Sequence, residues 1–109
     1  LATTRKILGQ VAPSATSETV LYTVPASTSC VVSSLSVCNR AGTAGTFRVS
    51  VSAGGVATAN KDYLAYGFAI AANDALTVTR GLTLAAGDVV RVYASSADMS
   101  FSIFGEERV

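Results

Sequence analysis

Histidine and tryptophan are absent from this chain, proline and cysteine occur twice each, and methionine occurs once. Without His there is no imidazole for a catalytic dyad or triad and none to ligate a metal. Without Trp there is no indole platform for a sugar ring. Charge is scarce too: 14% of residues are charged, with 8 Lys and Arg against 7 Asp and Glu, a net charge of +1. That balance provides no basic field for a phosphate backbone, so nucleic acid is not an expected partner. Ser, Thr, Gly, Asp or Arg interrupts every apolar stretch before the ~18 residues of a bilayer span, so no membrane is expected either. No apolar segment of secretory-signal type follows the basic pair Arg5-Lys6. What the chain does have is hydrophobic residues, 50% of its 109 positions. That is enough to exclude disorder by low hydropathy and to build one core in one domain.

Cys30 and Cys38 flank a run rich in β-branched residues with no Gly or Pro. On one straight strand they lie about 26 Å apart at ~3.3 Å per residue, far beyond the ~7 Å that a disulfide spans. Both are therefore expected to be free thiols, buried or half-buried.

Strands are expected at 3–8, 19–24, 30–38, 46–52, 62–68, 75–79, 88–95 and 99–104, separated by turn signatures such as Pro25-Ala26-Ser27, Ala53-Gly54-Gly55 and Asn73-Asp74. Alternation supports them. Phe47, Val49 and Val51 point one way while Arg48, Ser50 and Ser52 point to solvent, and Phe101 and Ile103 alternate with serines. The stretch 89–94 is apolar on both parities except at Arg91, which marks a central strand with Val90, Val92 and Ala94 inward. The pattern predicts an all-β protein: a single-domain, eight-stranded antiparallel sandwich, jelly-roll-like. Residues 1–12 form an N-terminal arm or edge strand and 13–109 the sandwich domain, with the tail Glu106-Glu107-Arg108-Val109 frayed.

Little in the chain can carry chemistry. Glu18, Asp62, Asp74, Asp88, Asp98, Glu106 and Glu107 fall at expected strand ends or in the tail, where Asp commonly bonds local backbone N–H groups. A Ser or Thr nucleophile would need Lys6 or Lys61 as its base, and no Asp-x-Asp-x-Asp calcium loop is present. The chain is read as no enzyme, with no cofactor and no metal. The four tyrosines, Tyr22, Tyr63, Tyr66 and Tyr93, are the candidates for stacking on a carbohydrate, although tyrosines at alternating positions more often serve a core or an interface. In the arm, Arg5, Lys6, Ile7 and Leu8 are the candidate assembly contacts: a strand that can join a neighbour's sheet as well as its own, with Ile7 and Leu8 for pockets and Arg5-Lys6 for acidic groups.

Several strings taken in order are informative together: Leu8-Gly9-Gln10, Pro13, Leu21-Tyr22-Thr23-Val24-Pro25-Ala26, Val37-Cys38-Asn39-Arg40, Leu82-Thr83-Leu84-Ala85-Ala86-Gly87-Asp88-Val89-Val90-Arg91-Val92 and Phe104-Gly105-Glu106. From about Lys6 to Glu106 the chain resembles a group of small β-sandwich structural proteins of tailed bacteriophages. The resemblance implies a virion protein made in the host bacterial cytoplasm, homo-oligomeric, with the major capsid protein or other virion proteins as partners. A capsid decoration or cement role leads. A tail, collar or fibre module, or a receptor- or carbohydrate-binding jelly roll, is the alternative. The resemblance brings no catalytic residue. Pro25 and Gly87 take turn positions in this reading, and Gly105 lets the chain leave its last strand.

Overall fold

The computed structural model describes residues 2–79 and 81–109. Among the described residues nine strands form: β1 (Thr3–Val11), β2 (Thr19–Thr23), β3 (Ser29–Asn39), β4 (Gly45–Ser52), β5 (Tyr63–Ile70), β6 (Ala75–Val78), β7 (Leu82–Leu84), β8 (Val89–Ala94) and β9 (Met99–Arg108). Helical structure among the described residues is limited to single 3-10 turns at Ala53–Gly55 and Asn60–Asp62. All pairings are antiparallel. Sheet A runs β1-β9-β3-β6, with β7 also on β3; sheet B runs β2-β8-β4-β5. The two sheets pack face to face as the expected sandwich, with a core that includes Val32, Val37, Phe47, Val90, Phe101 and Ile103. Phe47 is its hub: its ring meets Phe68 at 5.4 Å and Phe101 at 6.0 Å.

Four differences from the expected pattern have physical causes. A ninth strand, β7, pairs Leu82–Leu84 with Val32–Cys30; three residues are too short to show periodicity. The tail does not fray, because β9 continues to Arg108 and pairs with β1 on one side and β3 on the other. Gly105 therefore lies inside a strand rather than at its exit, and a Cβ there would strike the Val31 carbonyl, so glycine allows β9 to sit against β3. Finally, Ser50 and Ser52 are buried instead of solvated, because segment 53–62 folds back over that part of sheet B.

Bulges account for the broken parities. Leu8 is the extra residue of β1 opposite Phe104 and Ile103, and Ser33 the extra residue of β3 opposite Gly105 and Phe104. The bulge at Ser33 reverses the facing of the rest of β3: Cys30 and Val32 point inward before it, Leu35 and Val37 after it. Cys38 is consequently exposed while Cys30 is buried, and both are free thiols on one strand.

Candidate interaction surfaces

Arg5, Lys6, Ile7 and Leu8 do not gather on one surface. Arg5 and Ile7 lie on the outer face of sheet A, where Arg5 Nε stands 3.5 Å from Glu106 Oε2 and Ile7 is 55% exposed. Leu8 packs against the core, and Lys6 turns toward Glu107, its Nζ 2.8 Å from Oε1. On the outer face, Arg5, Lys6, Val31, Ser33, Phe104, Gly105 and Glu106 line a shallow open depression of about 340 Å³. Val31, 44% exposed, is a second bare apolar side chain on this face, across β9 from Arg5. Glu106, between Arg5 and Val31, also meets Arg108 at 3.5 Å, so charged and apolar side chains share this face.

The inner side of the β1–β9 pair holds a polar cluster that sequence reasoning missed. Tyr22, one of the candidate stacking residues, is buried, and its Oη donates to Glu107 Oε2 at 2.5 Å. Hydrogen bonds from Lys6 and then from Tyr22 hold the Glu107 carboxyl below its usual range. Burial first, and the carboxylate second, push the Tyr22 phenol above its ordinary value. Burial likewise raises the Cys30 thiol beside it.

On the outer face of sheet B, Arg91 and Asp62 secure the covering segment. Arg91 Nη1 donates to Ser52 Oγ and the Val56 carbonyl at 3.0 Å each, and Nη2 to the Gly55 carbonyl at 3.2 Å. Asp62 accepts from the Ala59 N–H at 2.8 Å and from Lys61 Nζ at 2.9 Å, and these two bonds hold its carboxyl below the usual range. Asp88 is held low in the same way by the N–H groups of Gly54 and Ala85. The turn role expected of Asp88 thus extends to a second loop. Ser50 Oγ is buried here with no hydrogen-bond partner among the described residues.

Beside that segment, three of the four tyrosines meet around a residue that sequence reasoning did not single out. Arg48 of β4 is paired with Tyr93 of β8, and its guanidinium carbon lies 4.0 Å from that ring's centroid. On its other side β5 places two residues, Tyr66 and Gly67, against Arg48 alone, between the pairs Phe47↔Phe68 and Val49↔Ala65. Gly67 takes φ +64, the left-handed conformation that a glycine bulge needs. This turns Tyr66 over Arg48, with its centroid 4.3 Å from the guanidinium carbon. Tyr63 meets Tyr66 edge-on at 4.8 Å, and Tyr66 remains 63% exposed. The glycine within an aromatic strand was the available signal for this bulge.

A third feature is apolar. Where sheet edges β5 and β6 face each other, Phe47, Leu64, Phe68, Leu76 and Val78 line a cleft of about 50 Å³. The opposite side of the sandwich is closed by β1 on β2, where a Cβ on Gly9 would strike the Leu21 carbonyl. No group of three or more potential metal ligands occurs among the described residues.

No family model and no curated protein sequence matches the chain. Among solved structures, the chain is similar to a pentameric capsid protein isolated from metagenomic phage sequences, at 21% identity and a TM-score of 0.40. The similarity covers 97% of this chain, which spans 60% of the length of that protein's chain.

Proposed function

We propose that this chain is a non-enzymatic structural protein of a bacteriophage virion, and specifically a capsid decoration or cement protein that binds the major capsid lattice. The observation that carries this reading is the outer face of sheet A: a strand surface on which Ile7 and Val31 stand bare among the charged Arg5, Glu106 and Arg108. Exposed apolar side chains interspersed with charged ones suit a protein contact. Small contacts of this kind become strong when repeated over a symmetric lattice. The titratable groups support a role without catalysis, since Asp62, Asp88 and Glu107 are each engaged in tying strands and loops together. The strand order, β1-β9-β3-β6 facing β2-β8-β4-β5, supports reading the sandwich as a jelly roll. The resemblance running from Lys6 to Glu106 supports the virion setting.

Densitometry of the chain against the major capsid protein in purified virions tests this. Copy numbers that scale with the capsid lattice are expected. A few copies that co-purify with isolated tails would favour a tail, collar or fibre module instead, and absence from virions would overturn the proposal. Ile7→Glu together with Val31→Glu should abolish capsid association while leaving the far-UV circular dichroism spectrum unchanged.

A further inference from the structure

We propose that Arg48, held between Tyr66 and Tyr93 on the outer face of sheet B, is a binding site for an Asp or Glu carboxylate on a protein partner. Arg48 differs from the other described cations in its surroundings. Arg5 and Arg108 stand near Glu106, Lys6 near Glu107 and Lys61 near Asp62. Arg40 donates to Ser100 Oγ and the Ala97 carbonyl, and Arg91 to Ser52 and the carbonyls of segment 53–62. Arg48 alone among them has ring faces for neighbours and neither a carboxylate nor a hydrogen-bond acceptor among the described residues. Stacking satisfies the flat faces of a guanidinium and leaves its N–H groups, which lie in the plane of the group, free to donate.

The site is also built in advance. Tyr93 is fixed by β-pairing and Tyr66 by the Gly67 bulge, so the rotamer entropy of Arg48 is largely spent before a partner arrives. A forked donor set of this kind matches a carboxylate with two parallel hydrogen bonds. Tyr and Arg at the centre of a surface are also the residue types that dominate binding energy. The same stacking argues against a neutral sugar, because the guanidinium occupies a face of both Tyr66 and Tyr93. The identity of the partner as a virion protein rests on the proposed function; the carboxylate chemistry does not.

The test follows the Arg48 Nε–H resonance of the isotope-labelled full chain by NMR during titration with a short Gly-Glu repeat peptide, its Gly-Gln counterpart, or methyl glucuronide. A saturable shift with the Glu peptide is expected, absent with the Gln peptide and lost in Arg48→Gln. No shift, or one unchanged in Arg48→Gln, overturns the proposal. A response to glucuronide without one to the Glu peptide replaces the protein partner by an acidic sugar and overturns it as well. In parallel, capsids stripped of the chain are rebound with wild type, Arg48→Gln and Arg48→Lys. A loss of about tenfold or more is expected for Arg48→Gln, with partial rescue by Lys, which keeps the charge and loses the fork. Wild type that fails to bind capsids, while the peptide shift is present, sinks the virion reading and spares the carboxylate site. Equal binding by wild type and Arg48→Gln places the site away from the capsid contact and overturns its assignment to the virion partner.

Discussion

The ring of Tyr66 and the thiol of Cys38 owe their surroundings to single extra residues in their own strands. The inserted Ser33 leaves Cys30 inside and Cys38 outside, although eight positions along an unbroken strand would put both on one face. Native protein is therefore expected to react with a thiol reagent at Cys38 alone, and at Cys30 only after unfolding, as mass spectrometry of the labelled peptides will show. Burial adds to this by raising the Cys30 thiol and lowering its thiolate fraction. Reductant should leave the melting temperature unchanged, since neither cysteine is bridged. At Gly67 the argument is conformational. A Cβ there meets nothing within 4 Å, yet φ is +64. Gly67→Ala is thus expected to cost roughly 1–3 kcal/mol through backbone strain alone, measured by urea unfolding, with the Tyr66 ring resonances moving as it leaves Arg48.

At the scale of elements, β1 and β9 act as one unit tied to β2. Residues 3–8 pair with β9 of their own chain, and β1 runs on through Gly9 and Gln10 to Val11. Deleting residues 1–9 removes Leu8 from the core edge and strips β9 of a partner, and is expected to lower the melting temperature and promote self-association through the bared edge, read by size-exclusion chromatography. The tie to β2 is the Tyr22–Glu107–Lys6 chain. Tyr22→Phe keeps the ring and removes a hydrogen bond to a carboxylate, for an expected loss of about 1.5–3 kcal/mol. Most of the strands were legible because apolar residues alternate along them, most cleanly at 99–104, where Met99, Phe101 and Ile103 are buried. The pairing of strands across 70 or more residues, as in Ser33 with Phe104, leaves no local trace in the sequence. The same is true of the outer faces: Ser50 and Ser52 alternate as solvated residues do, and only the return of segment 53–62 buries them. Arg48 was invisible as a site for a related reason, since its neighbours come from two other strands.

For the whole molecule, three carboxylates fasten the sandwich at separate places. Asp88 joins the loop after β4 to the turn before β8, Asp62 closes the segment over sheet B, and Glu107 joins β9 to β1 and β2. Each is held below its ordinary value in the folded state, so the unfolded chain binds protons more readily. Their contribution is present in full above the unfolded values of about 4 and is lost as pH falls through the depressed folded values. Tyr22 acts at the other end. Its phenol is raised on folding, so its contribution is complete below the unfolded value of about 10 and is withdrawn as pH rises beyond it. With no histidine in the chain, the cysteines are the side chains that ordinarily titrate between these limits, at about 8.5, and because burial raises the Cys30 thiol its contribution too is withdrawn as pH rises past that value. The urea midpoint is therefore expected to be flat across neutral pH and to fall on both the acid and the alkaline side. Asp88→Asn should shallow the acid limb and leave the alkaline one, whereas Tyr22→Phe should remove the part of the alkaline limb beyond about 10 and leave the part that Cys30 contributes. A midpoint that slopes steadily through neutral pH would show that some other group, unaccounted for in these three ties, governs the stability of the fold.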